Sequence, residues 1–417
     1  MNSLEKVEKA VGEVEDVNEW RDKDGDHHLI FALWKKDGQG GKGMPAEERI
    51  KAVDLCVKAG FNINLTEKFS SYPSYNVLAA AIRADSQGLE DGFSVVRHVV
   101  GLVSKELINT TILTTNKQKD GEVKTATYMP LTYCLALHKK HPHTTVKLLL
   151  DHGHVFSNVE GTISPVSYCS SNFLRCPEFV DCLKELLDRG ADPIFGDRTV
   201  LTDLVSRPGT VTPVTRRAVM TIVQEALGKE RLRELVNRTD KKDDPFLHVY
   251  LKFLDDDCDA DVDFLRQVLE AGAEVDGLDS DGLSPLQVVL GGSTMPNWEE
   301  TAKLFLEFGA DINVNAENQC LLLSSILDEA PDGQYVDRVR FALNNGALVH
   351  PVLGEDDDPD PGIIQGLSYI MTPEVRKEVW KMVSEKYDMT KLPAEVEATD
   401  EDGDTPLMCF LSFAEGG

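Results

Sequence analysis

Short blocks of apolar residues at helical spacing recur along the chain, and each closes on a glycine followed by a polar turn. Leu183, Leu186 and Leu187 ahead of Gly190-Ala191-Asp192 show the pattern, and residues 146–154, 265–273, 302–311 and 339–347 repeat it, with an early copy at 55–62. Apolar positions three and four apart put one stripe on a helix. The closing glycine supplies the left-handed residue that ends it. Gly153 and Gly190, Gly272 and Gly309, and Gly309 and Gly346 are each 37 residues apart. The 82 residues from Gly190 to Gly272 and the 93 from Gly60 to Gly153 leave room for two units apiece. Such a period marks a chain built from stacked repeats.

A second motif precedes the first at a steady offset. It is clearest as Asp279-Ser280-Asp281-Gly282-Leu283-Ser284-Pro285-Leu286, and again as Asp400-Glu401-Asp402-Gly403-Asp404-Thr405-Pro406-Leu407. Weaker copies are Met129-Pro130-Leu131, Ser164-Pro165-Val166, Asp244-Pro245-Phe246 and residues 24–29. Asp-Gly makes a tight turn in which glycine takes the positive φ. Ser284 or Thr405 then caps a helix, and Pro285 or Pro406 occupies its first position, where no N–H is needed. Each unit therefore reads as turn, short helix, loop, longer helix. Neither helix can bury its apolar face alone, and stacking of neighbours gives a solenoid.

On Ser284-Pro285-Leu286, Thr405-Pro406-Leu407, Gly190-Ala191-Asp192, Gly272-Ala273, Gly309-Ala310-Asp311-Ile312-Asn313 and Gly346-Ala347, the chain resembles the ankyrin repeat family. The resemblance implies an all-α, ankyrin-like helix-turn-helix solenoid with short β-turn or hairpin loops. Residues 1–20 are expected to form an N-terminal capping helix, with Leu4, Val7, Val11 and Val14 at helical spacing. Residues 21–396 are expected to hold about nine repeats in one continuous stack, and 397–417 a partial last repeat. Units of 37 residues or more exceed the usual roughly 33 of the family. The surplus falls mostly between the two helices, at 35–45, 85–91 and 291–297. The units around 199–227 and 362–383 lack the hallmark residues, and in the latter Pro373 is expected to open the second helix. In the last unit an apolar stretch with Phe410 and Phe413 ends four residues later, so either more chain follows or another chain caps that end.

Charge changes the picture next. The 417 residues carry 43 Lys and Arg against 71 Asp and Glu, a net charge of −28. Residues 1–250 hold 33 basic and 35 acidic residues, and residues 251–417 hold 10 and 36, so nearly all the excess lies in the last two fifths. Direct binding of nucleic acid through a basic footprint is excluded by that balance. No apolar run reaches the roughly 18 residues of a membrane span, and the charged start is no secretory signal. Eight scattered cysteines fit reduced thiols of a cytoplasmic or nuclear protein.

Most candidate chemistry dissolves into the repeat. Residues 22–26 and 400–404 space aspartates like a calcium loop, but lack the glycine at position six and the glutamate at twelve. They read as repeat turns. Five of ten histidines, His138, His141, His143, His152 and His154, cluster. A helix of eight residues between the two groups keeps them roughly 12 Å apart, too far for one metal ion, so they read as solvated loop residues. Cys182 falls on an apolar helix and reads as core, and its spacings to Cys169 and Cys176 make no zinc knuckle. Gly38-Gln39-Gly40-Gly41-Lys42-Gly43 lacks the Ser or Thr a phosphate loop requires. No nucleophile elbow, kinase set or HExxH is present, so neither an enzyme nor a cofactor is expected.

The remaining signal is acidic. Asp255, Asp256 and Asp257 lie between the two helices of one unit, and Glu355, Asp356, Asp357 and Asp358 lie in the connection to a later one. Asp276, Asp279, Asp281 and Asp311 occupy turn positions. In proteins of the resembled family, turn tips and short helices line the concave face that binds partners. The expectation is a non-catalytic interaction scaffold or adaptor whose acidic C-terminal repeats take a basic protein. Two other classes stay open: the recognition region of a larger enzyme or channel, and an acidic inhibitor that competes with nucleic acid.

Overall fold

Proline and capping side chains open helices where the turn chemistry marks them. Pro165, Pro213, Pro285 and Pro373 each stand in a first turn. At Ser284 the capping box is complete: its hydroxyl accepts from the Gln287 N–H, and the Gln287 side chain accepts from the Ser284 N–H. The computed structural model describes residues 4–21, 27, 29, 44–69, 72–87, 91–117, 123–137, 142–156, 164–172, 178–195, 198–205, 211–240, 244–254, 258–291, 295–314, 322–329, 335–349, 362–370, 372–390, 392–397 and 404–408. They fall into two compact units, Met1–Phe195 and Gly196–Gly417.

The first unit runs α1 (Leu4–Glu13), α2 (Ala46–Lys58), β1 (Thr66–Phe69), β2 (Tyr72–Asn76), α3 (Val77–Ser86), α4 (Gly92–Leu102), the single turn α5 (Lys105–Ile108), β3 (Ile112–Lys117), β4 (Val123–Tyr128), α6 (Pro130–Leu137), α7 (His143–Asp151), α8 (Pro165–Ser170) and α9 (Glu178–Asp188). The short helices α3, α6 and α8 stack in one row, and α1, α2, α4, α7 and α9 in a second. Val95, Val96, Val99 and Val100 of α4 face the interior between them. Each such side chain, fully buried, stabilises the stack by about 1.5–3 kcal/mol.

The loops of this unit are more than short turns. Two hairpins form, and Ser74 opposite Leu113 joins them into one antiparallel sheet in the order β1-β2-β3-β4. The second hairpin keeps an unbroken register from Ile112 opposite Tyr128 to Lys117 opposite Val123, whereas the first slips between Glu67 and Phe69. Threonine and aliphatic residues in β3 and β4 suit a pleated strand.

The second unit runs α10 (Val200–Val205), α11 (Pro213–Ala226), α12 (Lys229–Val236), α13 (Phe246–Lys252), α14 (Val262–Glu270), α15 (Pro285–Leu290), α16 (Trp298–Glu307), α17 (Leu322–Glu329), α18 (Tyr335–Asn344), α19 (Gly362–Tyr369), α20 (Pro373–Ser384) and α21 (Leu392–Glu397). Here α10, α13, α15, α17, α19 and α21 make the row of first helices, while α11, α14 and α16, then α18 and α20, stack as second helices. Pro373 does open α20. Both units without hallmarks are helical too, and α12 follows the first of them as an addition the hydrophobic pattern did not announce.

The repeated glycine ends its helix as expected. Gly190 has φ 85°. Its N–H donates to the Leu187 carbonyl at 2.9 Å, and that of Ala191 to Leu186 at 3.0 Å. This is the Schellman arrangement, and the same two bonds recur at Gly60, Gly153, Gly272, Gly309 and Gly346. The residue after the glycine is buried at Phe61, His154, Ala191 and Ala347. His154 is therefore no solvated loop residue. It takes the small-residue position under the turn, where burial pushes its imidazole below the ordinary range.

Asparagines close these turns from the preceding repeat. Asn237 donates to the Gly272 carbonyl at 2.8 Å and accepts the Glu274 N–H at 2.7 Å. Asn18 does the same with Gly60 and Asn62, Asn109 with Gly153 and Val155, and Asn313 with Gly346 and Leu348. One amide, with a donor and an acceptor side by side, fits the two groups the turn leaves open.

Four arginines share the fourth position of a second helix: Arg49 in α2, Arg216 in α11, Arg338 in α18 and Arg376 in α20. Arg338 is fully buried and donates to the carbonyls of Val289, Leu290 and Gly291 at 3.0, 2.9 and 3.4 Å. It thereby caps α15, and its guanidinium lies 5.2 Å from the centre of the Trp298 ring. Burial lowers it to about 10, so it stays charged at neutral pH. Arg376 caps the chain at the Ile370 carbonyl after α19, and Arg216 lies over Tyr250. Arg49 is buried with Nε and Nη1 unpartnered. On the outer face, by contrast, Arg266 to Glu307 and Arg340 to Glu378 are exposed rungs between neighbouring helices. Arg338→Ala is expected to cost about 3 kcal/mol in urea unfolding, through lost charged hydrogen bonds and a cavity. Arg340→Ala is expected to cost less than about 1 kcal/mol; equal losses would remove the capping role of Arg338.

Candidate functional site

The acidic turn between α14 and α15 is built by one carboxylate. Oδ1 of Asp279 accepts the N–H groups of Asp281 and Leu283 at 3.0 and 2.8 Å, while Gly282 takes φ 76°. In the preceding repeat, Asp244 accepts the Ser280 N–H at 3.0 Å. Lys252, at the end of α13, reaches across to Asp279 at 3.0 Å, Asp244 at 3.1 Å and Asp281 at 3.6 Å. Burial works against the Lys252 charge, but bonds to Asp279 and Asp244 outweigh it and hold the ammonium above its usual range. At Asp244 burial is likewise outweighed, by Ser280 and Lys252, and the carboxyl lies below the usual range.

The expected acidic residues thus fall into three sets. Asp279 and Asp276 are engaged inside the chain. The Asp279 side chain is fully buried, and Asp276 accepts the Asp311 N–H through both oxygens at 3.0 and 3.2 Å. Asp281 and Asp311 are exposed, with 72% of the Asp281 side chain open to solvent. Asp311 spends one oxygen on the Asn313 N–H at 2.9 Å. Asp255, Asp256, Asp257, Glu355, Asp356, Asp357 and Asp358 lie outside the described residues, as do His138, His141, Cys176, Phe410 and Phe413. The calcium-like segments do as well, except Asp404. Cys182 and Cys169 are buried core residues, as read for Cys182.

Asp276 stands at a clamp position, four residues past its glycine like Asn313. A carboxylate can accept but not donate, so it serves the Asp311 N–H with nothing to offer the Gly309 carbonyl. Burial raises its carboxyl above the usual range, with Asp311 adding to the rise, against the pull of the Asp311 N–H. The sequence marks Asp276 by its charge, carries Asp244 and Asn313 within repeat motifs without assigning them a contact, and does not single out Lys252, Asn18, Asn109 or Asn237. Only the offset of 33 residues from Asp276 to Gly309, repeated from Asn313 to Gly346, carried a signal for the clamp.

Rows of turn-linked helix pairs, each ended by a left-handed glycine, define an all-α, ankyrin-repeat-like solenoid fold. No family model matches the chain, and no curated protein does. Among solved structures it is similar to the human ASB11 ankyrin repeat domain, at 14% identity and a TM-score of 0.39, over 69% of this chain and 99% of that one. The ankyrin repeat domain of Bcl-3, a member of the IkappaB protein family, is similar at 16% and 0.34, over 58% and 92%. An ankyrin repeat domain from Acinetobacter baumannii AYE is similar at 18% and 0.36, over 56% and 98%. These likenesses are loose, and the repeating geometry of the chain itself carries the fold. Among the described residues, no helix is long and apolar enough to cross a membrane.

Asp276→Asn restores the missing donor and removes a half-buried charge. It is expected to stabilise the protein by about 0.5–1 kcal/mol at pH 7. A carboxyl raised in the folded state costs stability as pH rises through its titration, so the gain should shrink below about pH 4. Urea melts at pH 7 and pH 3.5 check this, and a loss of stability at pH 7 would refute the clamp assignment.

Proposed function

We propose that the chain is a non-catalytic protein-interaction module whose acidic repeats take a basic segment of a partner protein. The observation that carries this reading is the net charge of −26 confined to residues 251–417, together with Asp281 and Asp311 exposed at successive turns. Asp255, Asp256, Asp257, Glu355, Asp356, Asp357 and Asp358 extend the same acidic surface in this reading, while Asp276 and Asp279 shape the turns that present it. Long-range attraction steers a Lys- or Arg-rich segment toward such a surface, and short-range contacts hold it. A scaffold or adaptor of the cytoplasm or nucleus fits the scattered, reduced cysteines.

Binding of a fluorescent oligolysine peptide to the full chain tests this by anisotropy. The double reversal Asp281→Lys with Asp311→Lys is expected to weaken binding by about fivefold or more at low salt. The wild-type affinity should itself fall as salt shortens the Debye length from about 10 Å at 0.1 M to about 3 Å at 1 M. Binding indifferent to both changes would sink the acidic-capture reading.

A further inference from the structure

We propose that the junction between α13 and the turn at 279–284 is an acid-sensitive latch centred on His248. His248 sits on α13 with its side chain fully buried. Its Nε2 lies 2.9 Å from the Leu283 carbonyl of the next repeat. A carbonyl only accepts, so Nε2 carries the proton and the neutral ring leaves Nδ1 as a lone pair. That nitrogen is buried and has no partner. One helical turn later on the same face, Lys252 holds Asp279 and Asp281 of the same neighbouring turn. Two side chains four residues apart therefore fasten one repeat to the next, and the imidazole is the one whose charge changes near neutral pH.

The charges that act on the ring are those of Asp279, Lys252 and Asp244. Its own repeat supplies Asp244 and Lys252, and the next turn supplies Asp279 and Asp281. On α10, which packs against α13, Asp203 is paired with Arg198; at Tyr250 of α13 itself, Arg216 lies over the ring and the Asp261 backbone N–H donates to the hydroxyl. Helix α15 carries no titratable residue. A second proton would place an N–H at Nδ1 with no acceptor and a positive charge close to Lys252. Attraction by Asp279 and Asp244 opposes this, yet burial is the larger effect and keeps the imidazole below the ordinary histidine range.

The opened junction returns His248 to water, where it binds a proton more readily. The latch is accordingly fully closed above about pH 6.5 and loosens as pH falls through that value. Asp244, depressed by its partners, and Lys252, elevated by its own, keep their charges throughout this window. The acid response therefore belongs to His248. It would expose the backbone of the turn that shapes Asp281, and it operates whatever the chain binds.

Amide hydrogen exchange on the full chain at pH 7.5 and 5.5, corrected for intrinsic rates, reads the latch. Opening of residues 246–252 and 279–290 is expected to rise about tenfold at the lower pH. Helix α20 of the same unit is expected to stay level. His248→Gln keeps a side-chain donor and removes the titration, so its opening should be flat across the same range. An equal acid response in wild type and His248→Gln, or unchanged protection in wild type, would overturn the latch. Should the variant fail to fold, NMR titration of the wild-type imidazole decides. A midpoint below the ordinary histidine range upholds the proposal, and one at or above it defeats it.

Discussion

A helix leaves open N–H groups at its start and open carbonyls at its end, and in this chain many of those groups are closed by a side chain from a neighbouring repeat. The turn after each long helix shows the dependence most plainly. The Schellman bonds at Gly272 settle two carbonyls of α14, and the Gly272 carbonyl and the Glu274 N–H are satisfied by Asn237 of the preceding repeat. The short helices depend on neighbours as well. The end of α15 is capped by Arg338, nearly fifty residues further along. Apolar burial stacks the helices, and these polar bonds fix how they stack.

A long loop gives Arg338 its place. Where two helices are joined tightly, the end of the first can be closed by its own loop. Between α15 and α16 the loop is longer, and Arg338, from the fourth position of α18, reaches the end of α15 instead. The Nη1 of Arg338 serves three carbonyls at that end in the interior. The positive charge is tolerated because the carbonyl end of a helix is its negative end, and because Trp298 offers its ring face to Arg338. Arg216 over Tyr250 uses the same ring contact in another repeat.

The acidic excess of the second half is structured as well as abundant. Asp279 and Asp244 each bind backbone N–H groups and share Lys252, so part of the negative charge is spent within the fold. Asp281 sits two residues from Asp279 on the same turn and points to solvent. The buried member shapes the turn and the exposed member is displayed by it. His248 and Lys252 bind this turn to the repeat before it, which makes the presentation of Asp281 depend on the joint between repeats.

The amino-acid sequence by itself determined the helix pairs and their limits. Gly190, Gly309 and Gly346 mark helix ends because no other residue takes positive φ so readily, and Ser284-Pro285 marks a start because a cap and a proline have local partners. The pattern was weaker where the partner is distant. Asn237, Arg338 and Lys252 look like ordinary polar residues of a turn or a helix surface until the group 27 to 49 residues away is in place. Asp279 and Asp281 are the same residue type in the same turn, and His154 stands in a loop like His152, yet one of each pair is buried and the other is not. The hairpins β1–β2 and β3–β4 emerged from cross-strand pairing that no single turn encodes. Local chemistry is written in adjacent residues, while burial and charge pairing between repeats exist only once the repeats are stacked.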